Sequence, residues 1–113
     1  MKKKDIVYIK HIKNAIESIL EYTHGLDKKS FSSKKMVQDA VIREIEIIGE
    51  AVKNVSKIYR DKYTEIPWKN IAGMRDKLIH GYFNVDIDRV WAVIIKDLPE
   101  LRKNIEIIIK QEE

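Results

Sequence analysis

Isoleucine recurs near the start of the chain at helical spacing, as Ile6, Ile9, Ile12, Ile16 and Ile19. Steps of three and four gather all five on one face of an α-helix and leave the charged residues between them on the other. A longer pattern runs from Val37 through Val41, Ile45, Ile48, Val52 and Val55 to Tyr59, with a second row of Ala40, Ile47, Ala51 and Ile58 beside it. That surface is wider than one neighbouring helix covers. The segment is therefore read as the central helix of a bundle or as one that also serves a dimer interface. No segment combines strand alternation with turn chemistry. The expected fold is all-α, an up-and-down bundle of four to five helices, with residues 1–113 forming a single domain.

Local signals set the expected boundaries. Asp5 is a candidate N-cap for a first helix reaching about Thr23, and His24-Gly25 is its stop. Leu26 to Ser33 reads as a polar loop, with Ser32 or Ser33 capping a second helix that ends near Arg60. Gly49 lies inside that helix and costs it roughly 1 kcal/mol of propensity, which points to close backbone packing. Pro67 suits the first turn of a third helix running from Trp68 to about His80, with Ile71, Met74 and Leu78 inward and Gly81 as its end. Asp86 caps a fourth helix whose core face is Val90, Trp91, Ile94, Ile95 and Leu98. Pro99 is expected to break it before a short fifth helix bearing Leu101, Ile105, Ile108 and Ile109.

Composition removes several function classes. There is no cysteine, so disulfides and thiolate metal sites are excluded, and a reducing cytoplasm is allowed. No apolar run approaches the ~20 residues of a membrane span. The basic start is followed by an amphipathic segment rather than an apolar one, so no signal peptide and no membrane association are expected. No glycine-rich phosphate loop, nucleophile elbow or zinc pattern is present, and no metal or cofactor is expected. The formal net charge is +4 and it is unevenly placed. Residues 1–35 carry nine lysines against four acids, whereas the remainder carries 13 basic against 14 acidic residues. A polyanion such as RNA can use the basic third; the plain alternative is a solubilising lysine coat. His11 and His24 have no acidic or histidine partner at ligand spacing and read as surface residues, while Trp68 and Trp91 read as packing residues.

Chemistry concentrates in residues 75–82, Arg-Asp-Lys-Leu-Ile-His-Gly-Tyr. On a helix Arg75 lies near Ile71 and Leu78, at the flank of the buried stripe, where a guanidinium must be paired or face water. Asp76 and His80 are four apart, so a helix would put them on one surface and let the carboxylate orient the imidazole. Arg75 and His80 are five apart, about 140° around an ideal helix, and do not converge by helical geometry alone. Distortion at Gly81 can join them, or a second copy of the chain can complete a composite site, which is the preferred reading. A histidine near neutral pKa can take a proton from a ribose 2′-hydroxyl or give one to a leaving 5′-oxygen, and an arginine can hold the phosphate. The plain alternative is a helix terminus with a favourable dipole interaction and a routine Arg75–Asp76 surface pair.

The pattern Arg-x4-His-x-Tyr, filled by Arg75, His80 and Tyr82, carries a family resemblance. Around it stand Ile66-Pro67-Trp68, Ile71-Ala72-Gly73-Met74, Val85-Asp86, Val90-Trp91 and Asp97-Leu98-Pro99, with Arg43 to Ala51 upstream. Over nearly its full length the chain resembles the HepT-like proteins of the HEPN superfamily. The resemblance implies a helical-bundle homodimer and a metal-independent endoribonuclease toxin acting on RNA. It also implies a partner, an MntA-type nucleotidyltransferase antitoxin that transfers AMP onto the motif tyrosine. In those terms Arg75 and His80 are catalytic, Asp76 assists and Tyr82 is the modification site. A non-catalytic helical adaptor that binds a nucleotidyltransferase or nucleic acid is the alternative.

Overall fold

The computed structural model describes residues 3–79 and 84–113. Among them every regular element is helical, and the only β pairing is an isolated antiparallel bridge between Ile79 and Val85. The all-α expectation therefore holds. No helix among the described residues is long and apolar enough to cross a membrane.

The first helix, α1 (Lys3–Tyr22), buries Ile9, Ile12, Ile16 and Ile19 as the periodicity requires. Gly25 takes φ +77°, the left-handed turn expected after it. Asp5 does not cap its own helix, which has already begun at Lys3. Its buried carboxylate instead accepts from the Ser56 N–H at 2.7 Å and the Ser56 hydroxyl at 3.1 Å. The partner lies 51 residues away, so the local cap rule could not find it.

The expected polar loop contains a short helix, α2 (Lys28–Ser32). Asp27 caps it, accepting from the Ser30 N–H at 2.8 Å, while Ser30 returns a hydrogen bond from the Asp27 N–H to its hydroxyl. These contacts hold the Asp27 carboxyl below its ordinary pKa, the Ser30 backbone bond contributing most. The reason for α2 is Phe31, which is fully buried and stacks at a tilt on Trp91 with centroids 5.2 Å apart. Ser32 and Ser33 are not caps for the next helix. Their hydroxyls donate back to the carbonyls of Lys28 and Ser30. The Gln38 side-chain amide then meets the carbonyls of Phe31 and Ser32, tying the end of α2 to its successor.

That successor, α3 (Lys35–Asn54), packs against α1, α2, α5 and α6 and is the central helix. Of the two readings of its broad apolar surface, burial within the chain accounts for most of it. It stops earlier than expected: Val55 is extended and the chain restarts as α4 (Lys57–Lys62). Val55 still points inward, but Ile58 is left 69% exposed. Gly49 does what its position suggests. A Cβ there would sit 3.4 Å from the Ala72 carbonyl oxygen and 3.7 Å from that of Ile71, so α3 touches the end of α5 (Trp68–Ala72) almost backbone to backbone.

The third expected helix is two pieces. After α5 the chain kinks at Gly73 and resumes as α6 (Met74–Leu78), ending when Ile79 becomes extended. Trp68 is buried and its indole N–H donates to the Tyr63 carbonyl, which confirms packing over base stacking. The helix α7 (Ile87–Ala92) is capped by Asp86, as expected. Pro99 does not break the helical path. The backbone winds on through a wide π turn, Val93–Asp97, directly into α8 (Leu98–Glu112), with Pro99 in the first turn. The wide turn lies on the N-terminal side of the proline, where the ring would otherwise crowd the preceding carbonyls. Leu98, Leu101, Ile105 and Ile108 join the core, and Ile95 is exposed rather than inward.

Candidate active site

Arg75 projects from α6, a single turn fixed by its buried neighbours in sequence. Ile71 before the turn and Leu78 and Ile79 after it are buried, whereas Arg75, Asp76 and Lys77 are exposed. The turn thus presents three charged side chains in succession while its neighbours hold it to the core. The Arg75 side chain is 44% exposed. Its Nε lies 3.4 Å from Glu46 Oε2 on α3 and its Nη1 lies 3.6 Å from Asp76 Oδ1. The requirement that a guanidinium at the edge of the apolar stripe be paired or wet is met in both respects.

These contacts are long and solvated, so each contributes about 0–1 kcal/mol. They orient the guanidinium without saturating it. Glu46 takes the Nε edge, and among the described residues neither Nη donates a hydrogen bond. A phosphate oxygen arriving from solvent can compete for such a fork. Glu46 escaped the reading of the sequence. Its signal was its place on α3, three residues before the glycine at which α5 approaches.

The chain beyond α6 is pinned on both sides of the motif's second half. The Ile79–Val85 bridge and an Asp86 N–H to Leu78 carbonyl bond of 2.8 Å clamp its two flanks. His80 and Tyr82 fall between these anchors in sequence and lie outside the described residues. The helical argument that put Asp76 and His80 on one surface does not apply, because α6 ends at Leu78 and Ile79 is extended. Asp76 does lie beside Arg75.

A groove of about 580 Å³ runs between α5–α6 and the α7–α8 rod. Its floor is apolar, from Ile71, Met74, Val93 and Leu101, and its rim carries Lys77 and Arg89 with the acids Glu65, Asp97 and Glu100. Lys77 opens onto it from α6, whereas Arg75 is not one of its lining residues. Among the described residues no group of three or more histidines and carboxylates is arranged to hold a metal. His11 and His24 are on the surface, as expected.

This chain belongs to the HepT-like ribonuclease family: the family described as "Ribonuclease HepT-like" matches residues 12–108. Individual relatives agree. A protein of Methanocaldococcus jannaschii named "Gamma-glutamylcyclotransferase and putative RNase" is 48% identical over 96% of this chain, which spans half of that longer relative. A "Putative RNase" of Caldanaerobacter subterraneus is 44% identical, covering 93% of this chain and 94% of its own. A "Probable ribonuclease HepT" of Thermococcus cleftensis is 43% identical, covering 94% of this chain and 96% of its own. No solved structure matches the chain.

Proposed function

We propose that this protein is an endoribonuclease that cleaves RNA at a site built on Arg75 and His80, and that it acts as the toxin of a toxin–antitoxin pair. The observation that carries the reading is the exposed Arg75, oriented by Glu46 and Asp76, on a turn whose flanking residues Leu78 and Ile79 are tied to Asp86 and Val85, with His80 next in sequence. Membership of a ribonuclease family supports it.

The chemistry derives from the residue types. The ribose 2′-oxygen attacks the adjacent phosphorus and the 5′-oxygen leaves. His80 takes the 2′-hydroxyl proton or supplies one to the departing oxygen, and neither task needs a metal. Negative charge grows on the non-bridging oxygens as the phosphorus becomes five-coordinate. Arg75 offsets that charge through its unsaturated edge, and Asp76 holds the guanidinium from the other side. A homodimer brings a second copy of these groups to the same strand.

Regulation belongs to Tyr82. Its phenol oxygen attacks the α-phosphorus of ATP in an MntA-type nucleotidyltransferase antitoxin, pyrophosphate leaves and the phenolic proton is lost. The resulting anionic phosphodiester lies two residues from His80 in sequence, competes for Arg75 and repels RNA.

The test is cleavage of single-stranded RNA by purified protein with chelator present. Arg75→Ala and His80→Ala are each expected to lower the rate at least ~10²-fold. Parent-like cleavage by His80→Ala refutes the assignment. Mass spectrometry of Tyr82 after co-expression with the nucleotidyltransferase tests the modification.

A further inference from the structure

A second pocket, of about 410 Å³, lies between α4 and the start of α5 and has no role in the Arg75 site. Lys57, Arg60 and Asp61 line it from α4, and Trp68, Lys69 and Asn70 from α5. Lys57 is already bonded to Asp61 at 2.7 Å, which neutralises the only acid in the pocket. Arg60 and Lys69 are left without a compensating carboxylate among the described residues.

Arg60 and Arg43 have no carboxylate partner among the described residues. Arg75, Arg89 and Arg102 each face a carboxylate. Arg60 is half-buried, its Nε is shielded from solvent, and that N–H has no hydrogen-bond partner among the described residues. A desolvated guanidinium N–H without an acceptor is unfavourable, and a small turn of the side chain toward an anion in the pocket would supply one. The guanidinium fork suits a phosphate, with the Lys69 ammonium and the Asn70 amide beside it.

We infer that the α4–α5 pocket is a secondary phosphate site for a single RNA strand, with Arg60 as its principal contact. The inference rests on the ribonuclease reading for the identity of the ligand. Continuity of surface supports that identity. Thr64, Pro67 and Asn70 line both this pocket and the 580 Å³ groove, and the groove is bordered by Lys77, two residues along α6 from Arg75. A strand passing Arg75 would reach Arg60 across Thr64, Pro67 and Asn70, skirting the Glu65, Asp97 and Glu100 side of the groove. Contacts of this kind supply affinity and register rather than sequence choice.

The experiment measures binding of a single-stranded oligoribonucleotide, fully 2′-O-methylated so that it cannot be cleaved, by fluorescence anisotropy over a series of salt concentrations. Arg60→Gln is expected to weaken binding about 3- to 10-fold and to reduce the slope of log K against log salt by about 0.7, the value for one phosphate contact on a single strand. Arg60→Lys retains most of that slope. Lys69→Gln, on an exposed residue, shifts it in the same direction and decides the matter if Arg60→Gln does not fold. Slopes unchanged from the parent in both glutamine variants overturn the inference, as does failure of the parent to bind. A parent that binds with an Arg60-dependent slope but cleaves no RNA leaves this site standing and removes the catalytic reading. Cleavage with unchanged slopes does the reverse.

Discussion

Gly49 links the stability of the bundle to the placement of Arg75, and two substitutions there separate the two effects. A Cβ at residue 49 would meet the Ala72 carbonyl oxygen at 3.4 Å, at the near edge of ordinary van der Waals contact. Alanine therefore fits, and it removes the roughly 1 kcal/mol penalty of glycine inside a helix. Unfolding entropy of about 2.1 cal/mol/K per residue makes 1 kcal/mol worth about 4 °C in a chain of this length. Gly49→Ala is expected to raise Tm by about 2–4 °C with RNA cleavage unchanged. Leucine carries three further carbons into the carbonyls of Ile71 and Ala72, and overpacking of that kind costs about 1–3 kcal/mol. It also pushes α5 away from α3 one turn from Glu46, and the Glu46–Arg75 contact, already 3.4 Å, opens. Gly49→Leu is expected to lower Tm by about 4–12 °C and to lower the cleavage rate of the protein that remains folded. Thermal unfolding followed by circular dichroism, with cleavage assayed well below Tm, reads both quantities. An alanine variant less stable than the parent, or a leucine variant with undiminished cleavage per folded molecule, refutes the reasoning.

Three further outcomes are expected. Asp5→Ala strips the Ser56 N–H and hydroxyl of their acceptor at the start of α4 and should destabilise the fold by about 1–3 kcal/mol in urea unfolding; a loss under about 0.5 kcal/mol would show the contact to be incidental. Glu46→Gln should reduce kcat more than it changes KM, because it loosens a guanidinium already near the strand, and a pure KM effect argues against an orienting role. The Lys62 ammonium and the Tyr63 hydroxyl both bond to Glu112 and hold its carboxyl down to about 2, from an ordinary 4.5. Because folding lowers this pKa, the contribution to stability is complete above about 4.5 and is lost as pH falls toward about 2. Glu112→Gln should flatten the dependence of Tm on pH across that window in scanning calorimetry, and an unaltered slope contradicts the assignment.

Long periodic segments carried most of the fold. Ile9 to Ile19 of the α1 stripe and Val41 to Val52 of the α3 stripe are buried as spaced, because a face repeated over several turns leaves few alternatives. Interruptions were harder to see. Val55 and Gly73 turn the chain while Tyr59 beyond the first break and Met74 and Leu78 beyond the second still pack on the core, so much of the pattern continues across a break that the backbone makes. Phe31 is one aromatic among serines and lysines, too short a signal for a helix, and only the Trp91 ring across the bundle explains α2. The candidate site divides in the same way. Arg75 could be read as an exposed, paired cation from its own neighbours in sequence. Glu46 and Arg60 could not, since one depends on a helix contact 29 residues away and the other on a pocket formed by two helices.

The π turn at Val93–Asp97 also fixes how the carboxy-terminal third tolerates changes in length. A π turn holds an extra residue relative to α pitch, so it acts as a phase adjuster between α7 and α8. Deleting one residue there would restore regular winding and leave α8 facing almost as it does, because five residues at π pitch turn about as far as four at α pitch. A deletion within α8 itself, where there is no such slack, would instead turn Ile105 and Ile108 off the core by about 100°. The carboxy-terminal third therefore accommodates the loss of one residue at this turn but not along α8.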